Sequence, residues 1–164
     1  MSAQQAPNFT LDHVSTGHPV SLSDFRGQTV VVLFAGKDSS EQARQIGRTI
    51  GNRYAPGQLP IITVLDMRGV PRLVKGLAKG SVEKAYNEAV QDFTNDLQAK
   101  GQPVPANPAQ YIVMLPDWQG SVADSYSLQG VDRQAVAVLV DGNGYIRGYG
   151  AGAQGGDQIL ALFG

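Results

Sequence analysis

The chain has 164 residues, of which 42% are hydrophobic and 16% charged, and its formal net charge at pH 7 is −1. These values are typical of one globular domain, and the near-neutral charge argues against a nucleic-acid-binding or membrane-surface protein. The sequence contains no cysteine, so it supplies neither a thiolate nucleophile nor a disulfide bond. Residues 1–7 lack a secretion signal, and no apolar run reaches the ~20 residues that span a bilayer, so we expect a cytoplasmic protein.

The first 35 residues predict a hairpin and a buried strand. Short apolar alternation at 9–12 and 20–22 flanks a turn that contains Gly17 and Pro19, which predicts an N-terminal β-hairpin. Residues 29–35 form an almost unbroken β-branched and apolar run. Such a run is typical of a strand that is covered on both faces.

A helix and a second strand are predicted next. Asp38 or Ser39 can cap the helix, and Ser39 and Gln42 have the spacing of a capping box. Apolar residues then recur at helical intervals, namely Ala43, Ile46, Ile50 and Tyr54. The apolar run at 60–65 completes a β-α-β unit.

Residues 67–110 are longer than a bare connection between strands and predict a helical insertion. Pro71 suits the first position of one helix, which we expect to end at Gly80. A second helix is predicted over 81–100, where a stripe of apolar residues ends at Gly101.

The last third of the chain predicts three strands and a helix. The strands are expected at 111–115, 135–140 and 145–149, and residues 141–144 form the turn of a hairpin between the last two. Asp157 can cap a final helix.

Two local patterns suggest binding sites and have simpler interpretations. Residues 150–155 fit G-x-G-x-x-G, but the chain ends too soon for the acidic residue that dinucleotide binding requires, so we interpret them as a flexible strand-to-helix loop. Basic residues cluster around the insertion, namely Arg68, Arg72, Lys75, Lys79 and Lys84. They form either a solvated helix face or a docking surface for an acidic partner.

Six short segments carry a family pattern in this order, namely 6–11, 20–27, the strand that ends at 34–35, 115–117, 123–131 and 138–146. Taken together, they resemble the redoxins, the family of alkyl hydroperoxide reductases, thiol-specific antioxidant proteins and other peroxiredoxins. The resemblance implies a single α/β domain over 1–164 with a thioredoxin-like fold, in which helices flank a central mixed β-sheet. The N-terminal hairpin and the helical insertion at 67–110 are parts of it.

The positions that carry chemistry in redoxins differ here. The resemblance places the family's redox cysteine at or next to Asp38, with Ser39 and Ser40 as the other candidates, and a second cysteine near Glu41. Where relatives carry a cis-proline or a peroxide-binding arginine, this chain has Ala135.

Arg133 lies two residues before that position. It reaches the pocket if both residues lie on one strand, or else it is an exposed arginine in a loop.

Two functional hypotheses follow. The first is a redoxin-like binding or scaffolding module without thiol catalysis, which binds an unidentified protein or small molecule. The second is an antioxidant oxidoreductase or peroxidase, as the family implies, that uses a cofactor, a partner's thiol or a cysteine since replaced by serine. A helix that begins near Asp38 offers backbone N–H groups to a polar ligand, although capping alone explains the residues there.

The candidate ligand-binding residues are Lys37, Asp38, Ser39, Ser40 and Arg133. Serine catalysis needs an adjacent base, and the two histidines, His13 and His18, belong to the predicted hairpin and have no carboxylate cluster beside them. We therefore expect no metal and no cofactor, and neither a nucleic acid nor a membrane as partner. A homodimer is left open.

Overall fold

A computed structural model describes residues 4–163 and has a five-stranded mixed sheet at its centre. A hairpin of β1 (Thr10–Asp12) and β2 (Pro19–Ser21) precedes this sheet. The sheet strands are β3 (Val30–Ala35), β4 (Ile61–Asp66), β5 (Val113–Asp117), β6 (Val136–Val140) and β7 (Ile146–Ala151). Their spatial order is β5–β4–β3–β6–β7, with β6 and β7 antiparallel to their neighbours and the other pairs parallel.

The predicted hairpin and strands are confirmed, with one shift. β5 begins two residues later than the predicted 111–115, because Pro108–Tyr111 form a 3₁₀ turn. Proline favours the start of such a turn and delays the extended segment.

Helices lie on both faces of the sheet. They are α1 (Ser40–Arg53), α2 (Lys75–Ala99), α3 (Ser121–Ser125) and α4 (Gly155–Ala161). None of the helices within 4–163 is long and apolar enough to cross a membrane.

The fully buried strand β3 explains why its sequence is apolar throughout. Val30, Val32 and Phe34 contribute to one core cluster, which includes residues of β5 and α3. Val31, Leu33 and Ala35 contribute to a second cluster with Ile46 and Ile50 of α1 and Ile159 of α4. Alternate residues of a strand point to opposite faces, so both faces of β3 are covered.

The prediction of two helices within the insertion is wrong, because one helix runs through Gly80. α2 extends from Lys75 to Ala99, and a 3₁₀ turn at Arg72–Val74 leads into it. A glycine inside an exposed helix costs only about 1 kcal/mol relative to alanine, which is too little to end a long helix. Pro71 is extended, with ψ of 144°, and precedes the turn instead of occupying the first helical position.

The last helix also begins earlier than predicted. α4 starts at Gly155, so Asp157 lies in its first turn and does not cap it. The segment 150–155 is closely packed and not a flexible loop, since a Cβ on Gly150 would lie 2.2 Å from the carbonyl oxygen of Gly155. These glycines therefore bring β7 and α4 together.

The N-terminal segment covers both edges of the sheet. At the β7 edge, the amide of Ile146 donates to the carbonyl of Gln4, and the amide of Ala6 donates to Gly144. At the β5 edge, the amide of Val14 donates to the carbonyl of Met114.

Candidate functional site

The loop between β3 and α1 lies where the resemblance places the family's cysteine. Gly36 begins this loop, and a Cβ there would lie 2.7 Å from the Cα of Asp132. The amide of Asp38 donates to the carbonyl of Asp132 at 2.8 Å. The loop is therefore held against the segment that precedes β6, and only glycine permits this approach.

Ser39 is a buried structural link in this loop. Its side chain is fully buried, and its Oγ accepts a hydrogen bond from the amide of Gly36 at 2.9 Å and donates one to the carbonyl of Val131 at 2.5 Å. Its hydroxyl makes no capping bond to α1, so the predicted capping box with Gln42 is wrong. A hydroxyl with both roles satisfied inside the protein is unsuited to act as a nucleophile.

Gln42 bonds to Ala135 and not to the start of its own helix. The side-chain Oε1 of Gln42 accepts a hydrogen bond from the amide of Ala135 at 2.9 Å. Ala135 is fully buried and, within residues 4–163, no peptide bond is cis. The backbone group at this position is thus bonded within the chain.

The other candidate residues are only partly brought together. Lys37, Asp38, Ser40 and Glu41 are exposed around the start of α1. Arg133 is exposed in the turn before β6, where its amide donates to the carbonyl of Gly130, so it lies in a loop and not on a strand.

The histidines lie elsewhere. His13 bonds within the hairpin region, where its Nδ1 accepts from the amide of Ser15 and its Nε2 lies 3.1 Å from the carbonyl oxygen of Ile112. Within residues 4–163, no three His, Asp or Glu side chains are grouped so that they could hold a metal ion.

A long groove of roughly 1720 Å³ runs from this loop between α1 and α2. Its floor is formed by β4 residues Ile61, Thr63 and Leu65. The α1 wall has small residues, namely Ala43, Gly47 and Gly51, and the α2 wall contributes Ala85, Ala89 and Phe93. A Cβ on Gly47 or Gly51 would meet no atom within 4 Å, so the α1 wall is open at these positions.

Ion pairs join the two walls of the groove. Arg44 contacts Asp92 at 2.6 Å, and Arg48 contacts Asp96 at 3.2 Å. The hydrogen bond to Asp92, together with the charge of that carboxylate, raises the pKa of Arg44 above its ordinary value. These pairs are half exposed, so they position α2 more than they stabilise the fold.

Arg68 belongs to the basic cluster and makes internal contacts at one end of the groove. It forms ion pairs with Asp66 and Asp124, both at 2.9 Å, and donates a hydrogen bond to the carbonyl of Gly120 at 2.7 Å. Its hydrogen bonds to Asp66 and then Asp124 raise its pKa above the ordinary value. The charge of Arg68 is therefore largely compensated within the chain.

Sequence reasoning missed both Gln42 as a long-range acceptor and the groove. The spacing from Ser39 to Gln42 indicated a local cap, whereas Gln42 bonds to a residue 93 positions away. The small residues of α1 were the available signal for the groove, because Gly47 and Gly51 are spaced to lie on one helix face.

Comparison with known proteins supports the fold. No protein-family model matches the chain, and no curated protein matches it in sequence. Solved structures do match, and they include a thiol-disulfide oxidoreductase from Bacteroides fragilis, with 14% identity and a TM-score of 0.65 over 98% of this chain and 99% of that chain.

Two further structures cover both chains almost completely. The thioredoxin domain of a thiol-disulfide oxidoreductase from Bacteroides vulgatus has 19% identity and a TM-score of 0.61, and covers 99% of this chain and 98% of that chain. A candidate thiol:disulfide interchange protein, DsbE, from Chlorobium tepidum has 22% identity and a TM-score of 0.60, and covers 100% and 99%.

These matches establish the thioredoxin-like fold, a mixed sheet flanked by helices, as the resemblance to redoxins implied. The three structures described above are named as thiol-disulfide oxidoreductases or interchange proteins, so they support a redoxin or thioredoxin-like fold but not the narrower peroxiredoxin subtype.

Proposed function

We propose that this thioredoxin-fold chain is a binding module that works without thiol chemistry. Its binding site is the groove between α1 and α2, and its ligand is an apolar segment of a polypeptide. Ser39 is the main observation that supports a function without thiol chemistry. The loop expected to hold a reactive cysteine instead holds its buried hydroxyl, which both accepts and donates a hydrogen bond within the chain.

The chemistry of the chain supports a role without catalysis. Reduction of a disulfide or a peroxide by this class of fold requires a thiolate, and the 164 residues contain no cysteine. Ala135 gives further support to a role without catalysis, since its amide donates a hydrogen bond to the side chain of Gln42. A polypeptide strand that approached this position would have to displace that bond.

The size of the groove favours a polypeptide ligand over a small molecule. Small-molecule pockets occupy about 300–1,000 Å³. The groove measures roughly 1720 Å³, and its lining includes the apolar side chains of Ile61 and Leu65 on the floor and of Ala43, Ala85, Ala89 and Phe93 on the walls. An extended or helical segment with several apolar side chains suits such a shape.

Two measurements test this function. The first follows disulfide reduction and peroxide consumption in the presence of a dithiol donor. We expect no turnover above the uncatalysed rate, whereas clear turnover would favour an oxidoreductase that uses a partner's thiol and would overturn the proposal.

The second measurement follows the fluorescence of the apolar dye 1-anilinonaphthalene-8-sulfonate with monomeric protein. We expect Gly47→Trp to fill the groove from the α1 wall and to reduce the signal, because a side chain there meets open space. Gln45→Trp is the matched control, since Gln45 is exposed on α1 and does not line the groove. Equal signals from the two variants would show that the dye does not enter the groove.

A further inference from the structure

The start of α2 exposes apolar side chains that nothing in the described chain covers. Leu73 is 99% exposed, Leu77 is 78% exposed and Val74 is 40% exposed. We call residues 72–79 the α2 tip. Single exposed leucines are ordinary on protein surfaces, but a group of adjacent ones marks an interaction site.

The α2 tip is also strongly cationic. Residues 67–82 contain four basic residues and no acidic one. Arg68 is paired with Asp66 and Asp124, which leaves Arg72, Lys75 and Lys79 around the exposed leucines. Cations at the start of a helix oppose its dipole, so the composition of the tip costs helix stability. A local cost of this kind is expected where a surface serves binding.

The rim of the groove carries the opposite charge. Eight carboxylates line the groove against five cationic side chains, and two of these cations, Arg44 and Arg48, are paired with Asp92 and Asp96. The rim therefore has a net negative charge, and its floor is apolar. The tip and the groove are complementary both in charge and in apolar character.

The tip cannot fill the groove of its own chain. Val74 and Leu77 already lie at one end of that groove, and Lys75 lies over the ring of Trp118, with Nζ 4.8 Å from the ring centroid. The tip continues directly into α2, which forms one wall of the groove. The tip of another molecule can enter between the walls if its cations displace Arg44 and Arg48 from Asp92 and Asp96, and these half-exposed ion pairs are weak enough to be exchanged.

We propose that the occupant of the groove is the α2 tip of a second copy of this chain. The proposal rests on the function proposed above, and it identifies the polypeptide segment. Because the tip and the groove are adjacent on one face, a two-fold axis can place each tip in the other copy's groove, and the assembly closes as a dimer. A formal net charge of −1 gives the two copies little long-range repulsion.

Sedimentation velocity over a wide range of protein concentration tests the proposal. We expect a monomer–dimer equilibrium, and we expect Leu73→Ser/Leu77→Ser to raise the dimer dissociation constant by at least about 100-fold, because both leucines are buried in the dimer. Tyr149→Ser is the matched control, since Tyr149 is an exposed apolar residue on β7, away from the tip, and should leave the constant unchanged.

A mixing experiment distinguishes tip-in-groove contact from contact between two tips. Leu73→Ser/Leu77→Ser keeps the groove open and changes it only at the end that Leu77 lines, and Gly47→Trp has an intact tip and a blocked groove. A dimer of either variant alone has no contact between an intact tip and an open groove. A dimer of one copy of each variant keeps one such contact of the two. We therefore expect the mixture to form heterodimers, and dimers of Gly47→Trp alone as strong as those of wild type would overturn the proposal.

The failure of this inference is separable from the failure of the proposed function. A wild-type chain that is monomeric at all concentrations overturns the second-copy assignment, while the dye measurement still tests the groove. Sedimentation of that monomer with phosphatidylglycerol–phosphatidylcholine vesicles, but not with phosphatidylcholine alone, assigns the tip to a lipid surface and also overturns the inference. Thiol-dependent turnover overturns the proposed function regardless of oligomeric state.

Discussion

The side chain of Gln42 reaches from the first turn of α1 to the residue that precedes β6, where its Oε1 accepts the amide hydrogen of Ala135 at 2.9 Å. This bond joins two elements that are far apart in the sequence. It also bonds a buried backbone group that would otherwise lack a partner in the described chain.

Gln42→Leu is expected to lower the free energy of unfolding by about 1–3 kcal/mol, because it leaves the amide of Ala135 buried without an acceptor. Urea denaturation measures the change. Gln45→Leu, on the exposed side of α1, is the control and should have little effect. Amide exchange at Ala135 should accelerate in the first variant only, and unchanged protection there would contradict this role for Gln42.

Ser39→Ala is expected to destabilise the loop between β3 and α1 by about 1–3 kcal/mol, since both the amide of Gly36 and the carbonyl of Val131 lose a partner. Ser40→Ala is the neighbouring control at an exposed position, and it should change the unfolding free energy by less than about 0.5 kcal/mol. Thermal and urea unfolding of both variants check the difference. Equal stabilities would mean that the buried hydroxyl is not a structural link.

Gly80→Ala is expected to stabilise the protein by up to about 1 kcal/mol, because alanine is the better helix former and a Cβ there meets no atom. The sign of the effect distinguishes one continuous helix from two. If Gly80 ended a helix in the left-handed region, alanine would be strained and would lower the unfolding free energy instead.

Gly150→Ala should have the opposite effect. Its Cβ would lie 2.2 Å from the carbonyl oxygen of Gly155, and because that oxygen belongs to packed backbone, β7 and α4 must separate. We expect a loss of at least about 1–3 kcal/mol, which is typical of overpacking. A variant as stable as wild type in urea would show that the two elements are not closely packed.

Asp141 is expected to make stability depend on pH in acid. The backbone hydrogen bond from Tyr145 lowers the pKa of its carboxyl group most, burial opposes this effect, and a backbone hydrogen bond from Asn143 together with the hydrogen bond and charge of Arg147 lowers the pKa further. A lowered pKa in the folded state gives stability that is present above the unfolded value of about 3.9 and is lost as pH falls through the folded value. The difference in unfolding free energy between wild type and Asp141→Asn should therefore shrink below about pH 4.

Arg147→Gln tests the cause of this shift. The variant keeps both backbone donors and removes only the ion pair. The two backbone donors should preserve part of the acid dependence of wild type, and complete loss of that dependence would assign the effect to Arg147 instead.

Most of the sheet could be predicted from the sequence, because the information is local. The apolar run at 29–35 and the turn at 141–144 each indicate their structure within a few residues, and the resemblance supplied the order of the elements. The length of α2 could not be predicted in this way. Glycine is common where helices end, but whether Gly80 ends this helix depends on the residues on both sides of it.

The candidate site was less predictable, since its contacts are long-range. The partner of Ser39 lies 92 residues away, at Val131, and the partner of Gln42 lies 93 residues away. Both side chains also suit a local helix cap, which is the simpler interpretation when only the neighbouring residues are known. The tertiary structure shows that both side chains form long-range hydrogen bonds and not local helix caps.

The N-terminal segment hydrogen-bonds to Ile146 at the β7 edge of the sheet and to Met114 at the β5 edge. This arrangement has a consequence for self-assembly into fibrils. Unprotected strand borders recruit further strands from other molecules. Gln4 and Ala6 protect the β7 edge, so a proteolytic cut between Ala6 and Val14 would release these residues and leave that edge open, while the hairpin would stay joined to the chain and keep its bond to Met114. An intact N-terminal segment therefore protects the β7 edge against the addition of a strand from another molecule.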